Sequence, residues 1–317
     1  MTGLQEPLKT EVELNKHADM EEAMSLARAY DCKELVMAEH PPPQVPRTAP
    51  GTRPASATIA VAPKAPGGCF PSSEEAVSHV WLPGGGTNFY GVEATLDVYG
   101  FTFKPDQASQ ASIWIANRGD GNPSSLNGFQ AGWHISPTRY KDSNTHFYTE
   151  WTSAETKKGC LNMECPGFQK TSTSIAPGDI INPVSDINGK KQYITIRLFK
   201  DKSTGDWHVY YGFNGAPKPV GYFPESLLPG LKDKPVEISF GGLVYHRKPQ
   251  PSPPMGNGLF PATTLAASFS GVKLIDEDGN NHDVTTDLPY RVSLTRCYFI
   301  STMSNGLFFY GGPGCDD

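Results

Sequence analysis

The feature that most limits how this chain can fold is a period-two alternation of apolar and polar residues, which sets in near residue 78 and recurs to the C-terminus. In "VEATLDVYGF", Val92, Ala94, Leu96 and Val98 fall on one side and Glu93, Thr95 and Asp97 on the other, the pattern of a half-buried strand. "QASIWIAN" reads as a second, more apolar strand. "QYITIRLFK" alternates Ile194, Ile196 and Leu198 with Tyr193, Thr195 and Arg197, and "DKSTGDW" turns the chain back into "WHVYYGF" as a hairpin. Further strands are expected at 219–223, 235–246, 266–275, 291–301 and 306–311, the last two joined by "SNG". Strands at this spacing, with almost no helix between them, predict an all-β domain over 78–317: an antiparallel β-sandwich of two packed sheets. The 32 glycines and 29 prolines suit the turns such a fold needs.

The first quarter of the chain reads differently. Residues 14–31, "LNKHADMEEAMSLARAYD", predict a short helix: Asp19 caps it, Glu22 completes a capping box, and Met20, Met24, Ala27 and Tyr30 recur at helical spacing. Residues 40–66 are rich in Pro, Ala and Thr, cannot bury a core, and predict a disordered linker. Three units are therefore expected: a helical segment (1–38), a Pro/Ala-rich linker (39–77) and the sandwich (78–317). The segment "PLKTEVELNKHADMEEAMSLARAYD" resembles the end of a retrotransposon Gag polyprotein, which implies an element-derived piece joined to an unrelated domain.

Composition narrows the function. A net charge of −6, with 27 scattered Lys and Arg, gives no basic footprint, so no nucleic-acid partner is expected. No run approaches the roughly 18 apolar residues that span a bilayer, and the N-terminus lacks a basic region followed by an apolar one, so neither membrane nor secretion signal is expected. There is no GxSxG elbow, P-loop, HExxH or Rossmann glycine pattern. The acidic loop "DEDGNNHD" (276–283) lacks the spacing of a calcium loop and reads as a solvated hairpin turn. No cofactor and no metal are expected. For the six cysteines, local disulfides are the first reading and a metal site the second, since "CLNMEC" has no second Cys pair or His partners at short spacing. Disulfides imply an oxidising compartment. Cys32 and Cys69 have no assignable partner.

In order along the chain stand "GFQAGWHISPTRYKDSNTHFYTEWTSAETKKGCLNMECPGFQ", "IAPGDIINPVSDINGKKQYITIRLFKDKSTGDWHVYY", "VGYFPESLL", "EISFGGLVY", "PPMGNGLFP" and "FFYGGPGC". Together, over about 78–317, they resemble the neprosin family of plant proteins. The resemblance implies a proline-directed endopeptidase on an antiparallel β-sandwich with two catalytic glutamates, one just before Ala-Gly-Trp and one directly after a Trp-Gly-Gly segment. Two neighbouring carboxylates cannot both ionise easily, so one serves as acid while the other activates water.

Here the first position, before Ala131-Gly132-Trp133, is Gln130, and the second, after Phe240-Gly241-Gly242, is Leu243. Glutamine copies the shape of a protonated glutamic acid but neither takes nor gives a proton at neutral pH. Losing general acid–base assistance costs about 10²–10⁴-fold per group. The expectation is a peptidase-family domain without peptidase activity that binds Pro-rich peptides or its own 41–66 tract. Trp133, His134, Tyr222, Phe223, Gly241 and Gly242 are the expected ligand-lining residues. The alternative is an active endopeptidase using other residues: His134, on the same strand face as Gln130, or Glu150, where an apolar or aromatic residue is expected. Glu237 shares its face with Leu243 but lies six residues away. The expected bridges are Cys160–Cys165 and Cys297–Cys315.

Overall fold

The computed structural model describes residues 72–84, 88–120, 125–232 and 236–316. The expected helix at 14–31, the Pro-rich tract at 41–66, Cys32 and Cys69 lie outside the described residues.

Two antiparallel sheets carry the fold. The first contains β1 (Ser72–Trp81), β3 (Gln107–Asn117), β4 (Asn127–Ile135), β5 (His146–Ser153), β6 (Lys158–Leu161), β11 (Glu237–Arg247) and β14 (Tyr290–Val292), in spatial order β14-β1-β11-β3-β4-β5-β6. The second contains β2 (Phe89–Asp97), β7 (Gln169–Lys170), β8 (Tyr193–Lys200), β9 (Trp207–Phe213), β10 (Lys218–Phe223), β12 (Ala267–Asp276), β13 (Asn281–Asp283), β15 (Phe299–Ile300) and β16 (Phe308–Gly311). Its order is β15-β16-β12-β2-β8-β9-β10-β7, with β13 paired to β12. One short helix, α1 (Pro137–Tyr140), follows β4.

The alternation read from the sequence sets which face each strand buries. Val92, Ala94 and Leu96 of β2 and Ile194, Ile196 and Leu198 of β8 point into the core between the sheets. Ile113 and Ile115 of β3, Phe129, Ala131 and Trp133 of β4, and Ile238 and Phe240 of β11 meet them from the other sheet. The Trp133 indole donates to the Asp97 carbonyl at 2.9 Å, a hydrogen bond that ties the sheets. Asp97 is itself anchored by the Lys191 ammonium at 2.7 Å and by the Ser268 amide and hydroxyl at 3.0 and 2.8 Å.

Two boundaries differ from the sequence reading. The first strand begins at Ser72, inside the expected linker, because Ser72–Trp81 pairs with β11 along its whole length. The segment 291–301 is not one strand: Tyr290–Val292 pairs with β1 of the first sheet and Phe299–Ile300 with β16 of the second. Between them Cys297 and Tyr298 donate back to the Leu294 carbonyl, a turn that carries the chain from one sheet to the other.

Both expected disulfides form. Cys160 and Cys165 have Cα atoms 6.1 Å apart, and Cys297 and Cys315 5.6 Å. Closing such loops contributes about 2–4 kcal/mol each. The acidic loop folds as a self-satisfied turn, with Asp276 accepting from His282, from the Asp278 amide, and from the Asn280 amide and side chain. These bonds, His282 first, hold the Asp276 carboxyl down at about 2.

Candidate functional site

The first sheet has an unusual face. The side of β3, β4, β5 and β11 turned away from the core carries Gln110, Ser112, Trp114, Gln130, His134, Tyr148, Glu150, Ser239 and Leu243, and most of these are nonetheless buried. Register sets their arrangement. One row across five strands reads Ser78, Gly241, Ser112, Gly132, Tyr148. The two glycines are needed, because a side chain at Gly132 would run into the Ala111 carbonyl and one at Gly241 into the Val77 carbonyl. The row is thus a furrow of small residues.

Larger, mostly polar side chains flank the furrow. On one flank stand Leu243, Gln110, His134 and His146; on the other Ser239, Trp114, Gln130 and Glu150. Gly132 leaves room for a diagonal contact over the furrow: Gln110 Nε2 donates to Gln130 Oε1 at 3.2 Å. The Tyr148 hydroxyl donates to the same oxygen at 2.8 Å and lies 2.6 Å from Ser112 Oγ. Gln130 Nε2 in turn donates to Glu150 Oε2 at 2.6 Å. Gln130 is 1% exposed, and both ends of its amide are engaged.

Glu150 therefore joins the site directly. It was singled out in the sequence only as a residue of uncertain facing; the alternation of Phe147, Thr149 and Trp151 with Tyr148 and Glu150 is the signal that places it. His134, 9% exposed, shares the face, with Nδ1 3.4 Å from the Tyr140 hydroxyl and its ring against Tyr140 and Tyr148. Burial pushes the Tyr140 phenol up, the Asn162 hydrogen bond opposes this, and the charges of Glu150 and Glu164 add to it, so the phenol stays neutral. Trp114, absent from the sequence-level candidates, is 6% exposed, and its indole nitrogen is buried with no hydrogen-bond partner among the described residues.

Leu243 is 5% exposed and sits between Ala76 and Gln110. Positions 130 and 243 lie two strands and four residues apart, about 16 Å between Cα atoms in a flat sheet. Gln110 stands between them, paired with Leu243 across the β3–β11 ladder and donating to Gln130. Glu237 is engaged by Arg118 at 3.0 and 2.9 Å and by Arg291 at 3.2 Å, an ion cluster away from Gln130.

Four expected ligand-lining residues fall elsewhere. Trp133 and Phe223 are 0% exposed in the core, Phe223 against Phe129 and Phe168. Trp133 is three residues from Gln130, an odd step that turns it to the opposite face. Gly242 faces the core, where any side chain would meet Met255 and Tyr310. Tyr222 lies on the second sheet, paired with His208 and packed near its ring, which in turn stacks on Phe199. Gly241 and His134 remain at the site. Among the described residues, no group of three or more His, Cys, Asp or Glu is placed to hold a metal ion, and no helix is long and apolar enough to cross a membrane.

The Neprosin family model matches residues 105–313. Among solved structures, the chain is similar to Scytalido-glutamic peptidase bound to a peptide-based transition-state analogue, at 12% identity and TM-score 0.39, covering 77% of this chain and 99% of that one. It is similar to SCP-B, a member of the Eqolisin family of peptidases in complex with the tripeptide Ala-Ile-His, at 12% identity and TM-score 0.37 with the same coverage. The β-porphyranase BpGH16B from the human gut bacterium Bacteroides plebeius matches at 11% identity and TM-score 0.24, over 54% of this chain and 72% of that one.

Proposed function

Starting from the fact that this chain belongs to the Neprosin family, we propose that it binds proline-containing peptides without hydrolysing them. One observation carries the reading: the amide of Gln130, where the resemblance expects the first catalytic glutamate, has its oxygen accepting two hydrogen bonds and its nitrogen donating to Glu150. An amide so held cannot exchange protons with a substrate, and Leu243 at the second position has none to exchange. The furrow of Ser78, Gly241, Ser112 and Gly132 supports the binding half, since small residues let an extended backbone lie close to the sheet.

The full chain, incubated with a fluorogenic proline-containing peptide from pH 3 to 8, is expected to bind it and return it intact. Cleavage by the unmodified chain would reject the reading. A second reading has Glu150 behind it, a carboxylate oriented by Gln130 at 2.6 Å that is suited to activating a water; cleavage abolished by Glu150→Gln would establish it.

The chain's own 41–66 tract is the proline-rich ligand nearest to hand. Deleting residues 1–70 is expected to raise affinity for an added Pro-rich peptide. Unchanged affinity would mean that the tract does not compete for the site.

A further inference from the structure

We infer that His146 is a proton-operated latch at the β5 end of the furrow: as an imidazolium it holds Asp142 and the Tyr140 ring in place, and on losing one proton it releases them and weakens ligand binding. The link to binding rests on the peptide-binding reading above and gives that site a regulation.

The partners of the ring fix its state. His146 Nδ1 lies 2.7 Å from the Gly178 carbonyl, which can only accept, so Nδ1 carries a proton. Nε2 lies 3.0 Å from Asp142 Oδ1. Burial raises the Asp142 carboxyl, but hydrogen bonds from His146 and Asn144 outweigh it and hold the group below the ordinary carboxylate value. Asp142 is therefore an ionised acceptor, and Nε2 carries a proton as well. Only the imidazolium donates from both nitrogens.

This cation rests on an aromatic face. The His146 and Tyr140 rings stack with centroids 3.8 Å apart and planes at 11°, so the positive ring is drawn to the phenol. Tyr140 ends α1, and none of the four residues of that helix is buried. Its hydroxyl accepts from Asn162 at 3.2 Å and lies 3.4 Å from His134 Nδ1. His134 flanks the furrow and is paired with His146 across β4–β5. The latch thus reaches the furrow through Tyr140.

One proton separates the two states. The Gly178 carbonyl keeps the Nδ1 proton, so deprotonation bares Nε2, whose lone pair then faces a carboxylate oxygen. Asp142 is repelled, and α1, two residues before it and without a buried anchor, is free to follow. Asp142 is 37% exposed on its side chain, so solvent protons reach the pair. Other charged groups stand close by. Arg139, Glu150 and Glu164 act on the stacked Tyr140 phenol, His134 is the β4 partner, Asp179 adjoins Gly178, and the Lys141 ammonium donates to the Thr138 carbonyl. Among the described residues, the hydrogen bonds of the His146 ring are those to Gly178 and Asp142.

The probe is a labelled ten-residue peptide copying residues 41–50, titrated with the full unmodified chain from pH 5 to 8. Its affinity is expected to fall about fivefold over that range. His146→Gln can donate but cannot titrate, and is expected to flatten most of the dependence. Nitrogen-15 NMR of labelled histidine gives a readout that a merely structural role would not move. The His146 signals, identified by their loss in His146→Gln, should show two protonated nitrogens at pH 5 and loss of the Nε2 proton as pH rises. Asp142→Asn removes the charge that favours the imidazolium, so the proton should leave at a lower pH than in the unmodified chain.

A neutral His146 at pH 5 overturns the inference, as does an affinity that is flat from pH 5 to 8 or a pH dependence that survives His146→Gln unchanged. Two of these readouts use the unmodified chain alone, so a variant that fails to fold does not shield the inference. No binding at any pH removes the peptide-binding reading, and the nitrogen signals still decide whether the latch exists.

Discussion

Replacing Gln130 and Leu243 together by glutamate is expected to create proline-directed peptide cleavage at least about 10²-fold above the unmodified chain. The furrow and the Gln110 and Tyr148 donors are already in place, so the change adds proton-transferring groups to a prepared surface. A glutamate at 243 would stand opposite Gln110, which donates to residue 130. Activity should favour acid. Gln130→Glu sets a second carboxylate where the amide now lies 2.6 Å from Glu150, and two carboxylates at that distance share one proton, which raises the apparent pKa of the pair. The folded state then binds more protons than the unfolded one between the ordinary glutamate value, about 4.3, and the raised one. Stability of the variant must fall as pH rises through that window, the opposite of a salt-bridged carboxylate. Thermal melts at pH 4 and 7, beside a fluorogenic assay from pH 3 to 8, test both halves. Equal activity in the unmodified chain would mean that another group carries the chemistry, with Glu150 the next to change.

Trp133→Ala is expected to cost about 3–5 kcal/mol of stability. The ring is 0% exposed between the sheets, and its loss also removes the hydrogen bond to the Asp97 carbonyl. Chemical denaturation should show a lower midpoint at an unchanged slope. The result separates the structure from the sequence-level assignment, in which Trp133 lines the ligand groove. A groove residue would lose affinity and leave the midpoint nearly where it was.

Much of this architecture was legible in the alternation. The faces of β2, β8 and β9 follow from period two alone, and the two cysteine pairs are close in sequence and close in space. The short strands of 290–300 were not legible, because a run of mixed residues does not say that its two halves pair with different sheets. At the site, resemblance located Gln130 and Leu243, and strand parity could have excluded Trp133. Gln110 and Trp114 needed more than parity: alternation with Ile113 and Ile115 sets which way they face, but their place beside Gln130 and Ser239 needed the β3–β4 and β3–β11 registers. Glu150 stood out as an acid in an apolar strand. Its contact with Gln130 needed the β4–β5 register.

The outermost strands of both sheets are short: β14 and β6 have three and four residues, β15 and β7 two each. Four such stubs offer no long row of unpaired backbone groups on which another chain could template itself. Among the described residues, these terminal strands are poor templates for lengthening a sheet. A ligand lying across a face would be read through side chains. Prolines, which have no N–H to contribute to a ladder, lose little by that arrangement.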